Sequence, residues 1–145
     1  MADPRAKLRI GAFAMAVTLA LSAGGCGGPI EHDELERGVL SLGAVAAEGR
    51  LVALDVVEDR TKVTFVSGHS RALAEDAEHE AEKLHDAEAK PDLVAAKREA
   101  VRIAQSIDAA LGDLRVAPSD RRVARDVERR LDELSRRADR LAQRI

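Results

Sequence analysis

The chain has 145 residues, 23 basic against 26 acidic, and a formal net charge of −3. With 46% hydrophobic and 34% charged residues it is neither a disordered segment nor a set of membrane spans, and its length suits one domain with one core. The acidic excess and the lack of Trp and Tyr exclude a nucleic-acid binder built on a basic face with stacking platforms, and one cysteine excludes an intramolecular disulfide.

The N-terminus carries Arg5, Lys7 and Arg9, then an apolar run from Ile10 to Leu21, then Ser22, Ala23, Gly24, Gly25 and Cys26. A basic start, an apolar middle and a small-residue end make a secretory signal. As a helix, Ile10 to Leu21 would span about 18 Å against a hydrocarbon core of about 30 Å, which is too short for an uncleaved anchor. Gly24 and Gly25 break any helix leaving the apolar run and present the unhindered backbone a peptidase needs. The segment resembles a bacterial lipoprotein signal, whose lipobox usually reads Leu, Ala or Ser, Gly or Ala, then Cys. Here Ala23 stands where Leu is usual, and Leu21 lies two positions earlier.

That resemblance implies that residues 1–25 are removed and that Cys26 is acylated, palmitate being a typical chain, and becomes the mature N-terminus. The partner is then membrane lipid and the address the outer face of the cytoplasmic membrane, with the outer membrane open where the host has one. A simple cleaved secretory signal is the alternative. Removal of residues 1–25 takes away Arg5, Lys7, Arg9 and Asp3, leaving 20 basic and 25 acidic side chains and Phe65 as the one aromatic.

Residues 26–30 read as a lipidated tether with Gly27, Gly28 and Pro29, and 31–145 as the domain. Ala, Leu, Glu and Arg dominate, so an all-α chain is expected. From Glu31 to about Arg60, Leu35, Val39, Leu42, Ala46, Gly49, Ala53 and Val56 recur at steps of four and three and predict one helix. The β-branched stretch within residues 51–66 also allows a hairpin. The second helix is predicted from about Thr61 to Ala89, with Val63, Val66, Ser70, Leu73, Ala77, Ala81 and Leu84 inward. The third starts near Pro91 and buries Leu93, Ala96, Ala100, Ile103, Ala104, Ile107, Leu111 and Leu114. After Ala117-Pro118-Ser119, with Ser119 as candidate N-cap, the fourth carries a heptad of Ala124, Val127, Leu131, Leu134, Ala138, Leu141 and Ile145. Short connections make consecutive helices antiparallel, so the expected fold is an antiparallel four-helix bundle.

Ala47-Glu48-Gly49, Arg60-Thr61, Phe65 and His69 make the mature part similar to small helical lipoproteins of high-GC, actinobacterial-type bacteria. That similarity implies a helical fold and no assigned activity.

The densest set of chemically capable side chains is on helix two, between Glu75 and Glu88. Glu82 and His85 form the Glu-x-x-His step with which bundle proteins ligate paired metals, and His79 is the further candidate ligand. At 100° per residue, however, His79 and His85 are about 240° apart, and a solvated acidic face is the simpler expectation. His69, near Phe65, is expected to be packed and hydrogen-bonded. Helix four is Arg-rich with interleaved acids at spacings of three and four, which favours pairing within the helix and allows complementation of acidic helix two. No nucleophile triad, phosphate loop or zinc pattern is present. The expectation is a non-catalytic, membrane-anchored interaction module without a cofactor; the alternative is a divalent-metal or small-ligand binding lipoprotein using His79, Glu82 and His85.

Overall fold

A computed structural model describes residues 28–145, so Cys26 and the signal segment lie outside the described residues. Four helices follow one another: α1 His32–Val57, α2 Val63–Asp86, α3 Val94–Val116 and α4 Arg121–Ala142. There is no strand among the described residues, so the hairpin alternative for 51–66 is replaced by the end of α1, a turn and the start of α2. The helices form an antiparallel four-helix bundle in which α1 packs most extensively on α4 and α2 on α3. α3 also meets α4, α1 meets α2, and α1 touches α3 across the diagonal, whereas α2 and α4 make no contact.

Every position assigned inward on α1 is buried, as are Ala100, Ile103, Ala104, Ile107, Leu111 and Leu114 on α3 and Ala124 through Leu141 on α4. The α4 heptad therefore seals the core of its own chain. Val63 departs from expectation, with 49% of its surface exposed. It is the first residue of α2 and stands at the end of the bundle.

Two glycines bring α1 close to its neighbours. A Cβ on Gly43 would lie 3.4 Å from the Cβ of Ala138 on α4. One on Gly49 would lie 2.8 Å from Leu111 Cδ2 and 3.0 Å from Leu131 Cδ1, so bare backbone there lets α1 reach α3 and α4 together. Gly68 and Gly112 have nothing within 4 Å of such a Cβ and only weaken their helices. Gly68→Ala and Gly112→Ala are each expected to stabilise the bundle by about 1 kcal/mol, raising Tm by roughly 4 °C in a thermal melt. A fall in Tm in both would contradict the open surroundings.

The helix ends explain the shifts from the expected boundaries. α1 stops at Val57 because Asp59 takes a left-handed backbone, φ 59°, while the Arg60 amide donates to the Asp55 carbonyl at 2.9 Å and the Asp59 amide to that of Val56 at 3.2 Å. This is a Schellman ending with Asp where glycine is usual. Asp59 Oδ2 also meets Arg121 Nη2 at 2.9 Å, tying the end of α1 to the start of α4. α2 ends at Asp86, where Lys97 Nζ of α3 donates to the carbonyls of His85, at 3.0 Å, and Ala87. The N-cap of α4 is Asp120 in place of Ser119: its Oδ1 accepts from the amides of Arg122 at 2.8 Å and Val123 at 3.1 Å.

Candidate functional site

The acidic face of α2 meets α3 along an open groove of about 600 Å³, lined by Glu78, Glu82, His85 and Asp86 from α2 and by Gln105 and Asp108 from α3, over a floor of Ala81, Val101 and Ala104. Glu82 and His85 share this groove because they are three residues apart on one helix face. His79 is exposed and does not line it, as its angular offset from His85 requires. Among the described residues no three His, Cys, Asp or Glu side chains are grouped so as to hold a metal ion. Glu80 turns from the solvated face toward α1: its side chain keeps 15% exposure, but its Oε1 is buried 2.5 Å from where a Cβ on Gly38 would stand, with Lys83 Nζ at 3.7 Å.

His69 is placed as expected. Its Nε2 lies 2.8 Å from Glu48 Oε1 on α1, and its ring stacks on Phe65 with centroids 5.2 Å apart. The cluster braces the outer seam between α1 and α2.

The arginines of α4 do not meet α2, because the two helices are diagonal. This corrects the expected complementation of α2 by α4. Arg130 pairs instead with Asp113 of α3 at 2.6 Å, Arg136 with Asp132 at 2.7 Å and Arg140 with Glu133 at 2.7 Å. Arg137 Nε and Arg144 Nη2 converge on Glu99 of α3 at 3.1 and 3.3 Å. The hydrogen bond from Arg137, reinforced by the charge of Arg144, outweighs the effect of burial and holds the Glu99 carboxyl below its ordinary value. The amides of Val123 and Arg122 do the same for Asp120.

Both groups therefore bind fewer protons folded than unfolded around pH 4. Their stabilisation is present above about pH 4.5 and is lost as the pH falls through their depressed folded values. Thermal melts between about pH 6 and about pH 3 are expected to show a smaller loss of Tm in Glu99→Gln than in the parent chain; equal losses would contradict the role given to Glu99.

Sequence reasoning missed Ile30. Assigned to the tether, it is instead 2% exposed and belongs to the core, and its amide donates to the Glu88 carbonyl at 2.7 Å in a bridge with Ala89. Glu31 pairs with Lys90, and His32 Nε2 with Asp92 Oδ2 at 3.4 Å, so three consecutive residues fasten the entering chain to the α2–α3 turn. An isolated Ile after Gly28-Pro29 was the available signal.

No helix among the described residues is long and apolar enough to cross a membrane. No protein-family model, curated protein or solved structure matches the chain.

Proposed function

We propose that this protein is an extracytoplasmic lipoprotein, held on a membrane by acylated Cys26 and presenting a rigid, non-catalytic helical bundle as an interaction or accessory module. The observation that carries the proposal is the run from Arg5 to Cys26: a basic start, an apolar segment too short to span a bilayer, and small residues up to the only cysteine.

The clamp at Ile30 supports it. Four residue steps separate Cys26 from Ile30, so at about 3.5 Å per residue the fastened end of the bundle lies within about 14 Å of the acylated residue. A load on the bundle would then be borne by the Ile30–Ala89 bridge and the Glu31 and His32 pairs, and not by a long loose linker. The side-chain chemistry also suits a module. The histidines are scattered over different faces, and Arg130, Arg137 and Arg144 are engaged in pairs that hold α4 to α3.

Metabolic labelling with a clickable palmitate analogue tests the reading. Label is expected on the native chain and absent from Cys26→Ala; an unlabelled native chain of mature length would overturn it.

A further inference from the structure

α1 carries a second apolar stripe, on the side opposite its buried one. Leu40, Ala44, Ala47 and Leu51 follow at steps of four, three and four, the spacing of a helix-pairing seam. Leu40 is 47% and Leu51 52% exposed, Ala44 is exposed and Ala47 half-buried. Phe65, 51% exposed, widens the patch: α1 and α2 are antiparallel with His69 opposite Glu48, so Phe65, one turn earlier on α2, stands near the level of Leu51. Four of the five large hydrophobic side chains exposed among the described residues, Leu40, Leu51, Val63 and Phe65, thus lie on α1 or the first turn of α2.

The charges that bracket the stripe select what can cover it. Arg37 lies one turn before Leu40, and its Nε is bonded only to the Asp33 carbonyl of its own helix among the described residues. Asp55 lies one turn beyond Leu51; one of its oxygens takes Arg60 at 3.0 Å and the other remains available for a second guanidinium. A two-fold axis passing between Ala44 and Ala47 sets Leu40 of one copy against Leu51 of the other and Ala44 against Ala47, and brings Arg37 within one residue of the level of Asp55, on the same side of the seam. A parallel arrangement would set Arg37 against Arg37 and Asp55 against Asp55. The stripe is therefore complementary to itself in shape in the antiparallel sense, with Arg37 and Asp55 matched in charge beside it and Asp33 facing Glu58 only at the far ends of the crossing.

We propose that this face of α1 is a homodimerisation surface, on which a second copy of the chain docks with its α1 antiparallel, Ala44 and Ala47 at the close approach and Arg37 paired with Asp55 of the second copy. One helix crossing with a flanking aromatic is smaller than the roughly 1,600 Å² of a standard stable interface, so the pairing is of the weak, concentration-dependent kind. Confinement to a membrane surface would raise its occupancy without any new contact.

The test is sedimentation equilibrium of the chain as isolated from cells in mild detergent, with helicity followed in parallel by circular dichroism. A concentration-dependent monomer–dimer equilibrium is expected. Leu51→Glu, at an exposed site that leaves the helix intact, is expected to weaken it at least tenfold. Arg37→Asp is expected to weaken it several-fold, and Arg37→Asp combined with Asp55→Arg to restore it. A monomer at every concentration overturns the proposal, as does association indifferent to Leu51→Glu. Failure of the double charge reversal to recover dimer overturns the antiparallel pairing, and a monomeric chain bound to a different protein through Leu51 assigns the face to a heterologous partner instead.

Discussion

Cys26→Ser is expected to take the chain out of the membrane fraction, appearing either as soluble protein or as an unprocessed chain that still carries residues 1–25. Serine keeps the size of the side chain and removes the thiol to which a diacylglyceryl group is transferred, so the substitution separates acylation from the rest of the signal. The expected size of the effect follows from the chains: each buried CH₂ contributes about 0.8 kcal/mol, so one acyl chain gives marginal, reversible binding while two or three hold a protein firmly. None of the four helices is apolar and long enough to substitute as a span. Fractionation of cells followed by immunoblotting reads the outcome, and a Cys26→Ser chain of mature length retained in the membrane fraction as fully as the parent would contradict it.

Leu111→Ala is expected to destabilise the bundle by about 3 kcal/mol, a large share of the 5–15 kcal/mol that holds a domain of this size. Leu111 is fully buried, and its Cδ2 lies 2.8 Å from where a Cβ on Gly49 would stand. Gly49→Ala alone sets two opposing effects against each other. The helix gains about 1 kcal/mol in propensity, while the new methyl group drives Leu111 and Leu131 from their positions in a closed core at about 1–3 kcal/mol. Overpacking wins, and a net loss of about 1 kcal/mol is expected. In the Leu111→Ala background the nearer obstruction is gone and Leu131, whose Cδ1 would lie at 3.0 Å, can shift into the vacated space, so Gly49→Ala should change sign and recover about 1 kcal/mol. Urea unfolding of the four chains of this cycle measures the coupling directly. Strict additivity would mean that Gly49 is not where α1 and α3 meet.

The helical stripes were legible because burial repeats with the helical period: Leu35 through Val56 on α1 and Ala124 through Leu141 on α4 are buried as spaced. Ends were less legible. Asp59 terminates α1 in a left-handed backbone without a glycine to announce it, and is held there by Arg121, 62 residues away in sequence. Val63 fits the inward period of α2 yet is half exposed at the first residue of the helix, which periodicity alone does not register.

Pairings across the bundle were the least legible. The acidic α2 and the Arg-rich α4 looked complementary, but up-down order puts them on a diagonal, and the arginines find Asp113 and Glu99 on α3. Glu80 reads as one more solvated carboxylate until Gly38 is seen to leave room for it. Of the candidate site, the exposure of His79 and His85 followed from their helical phase, whereas the Glu48 partner of His69 lies on another helix and did not. The fastening at Ile30 did not, since it depends on a long-range backbone bridge to Ala89.

Intact-mass spectrometry of the native chain purified from the membrane fraction tests the account most directly. The expected mass is that of a polypeptide beginning at Cys26, increased by a diacylglyceryl group and, where the host adds one, by an N-linked acyl chain. A mass equal to an unmodified polypeptide, whether it begins at Cys26 or at any other residue, would contradict the lipid anchor.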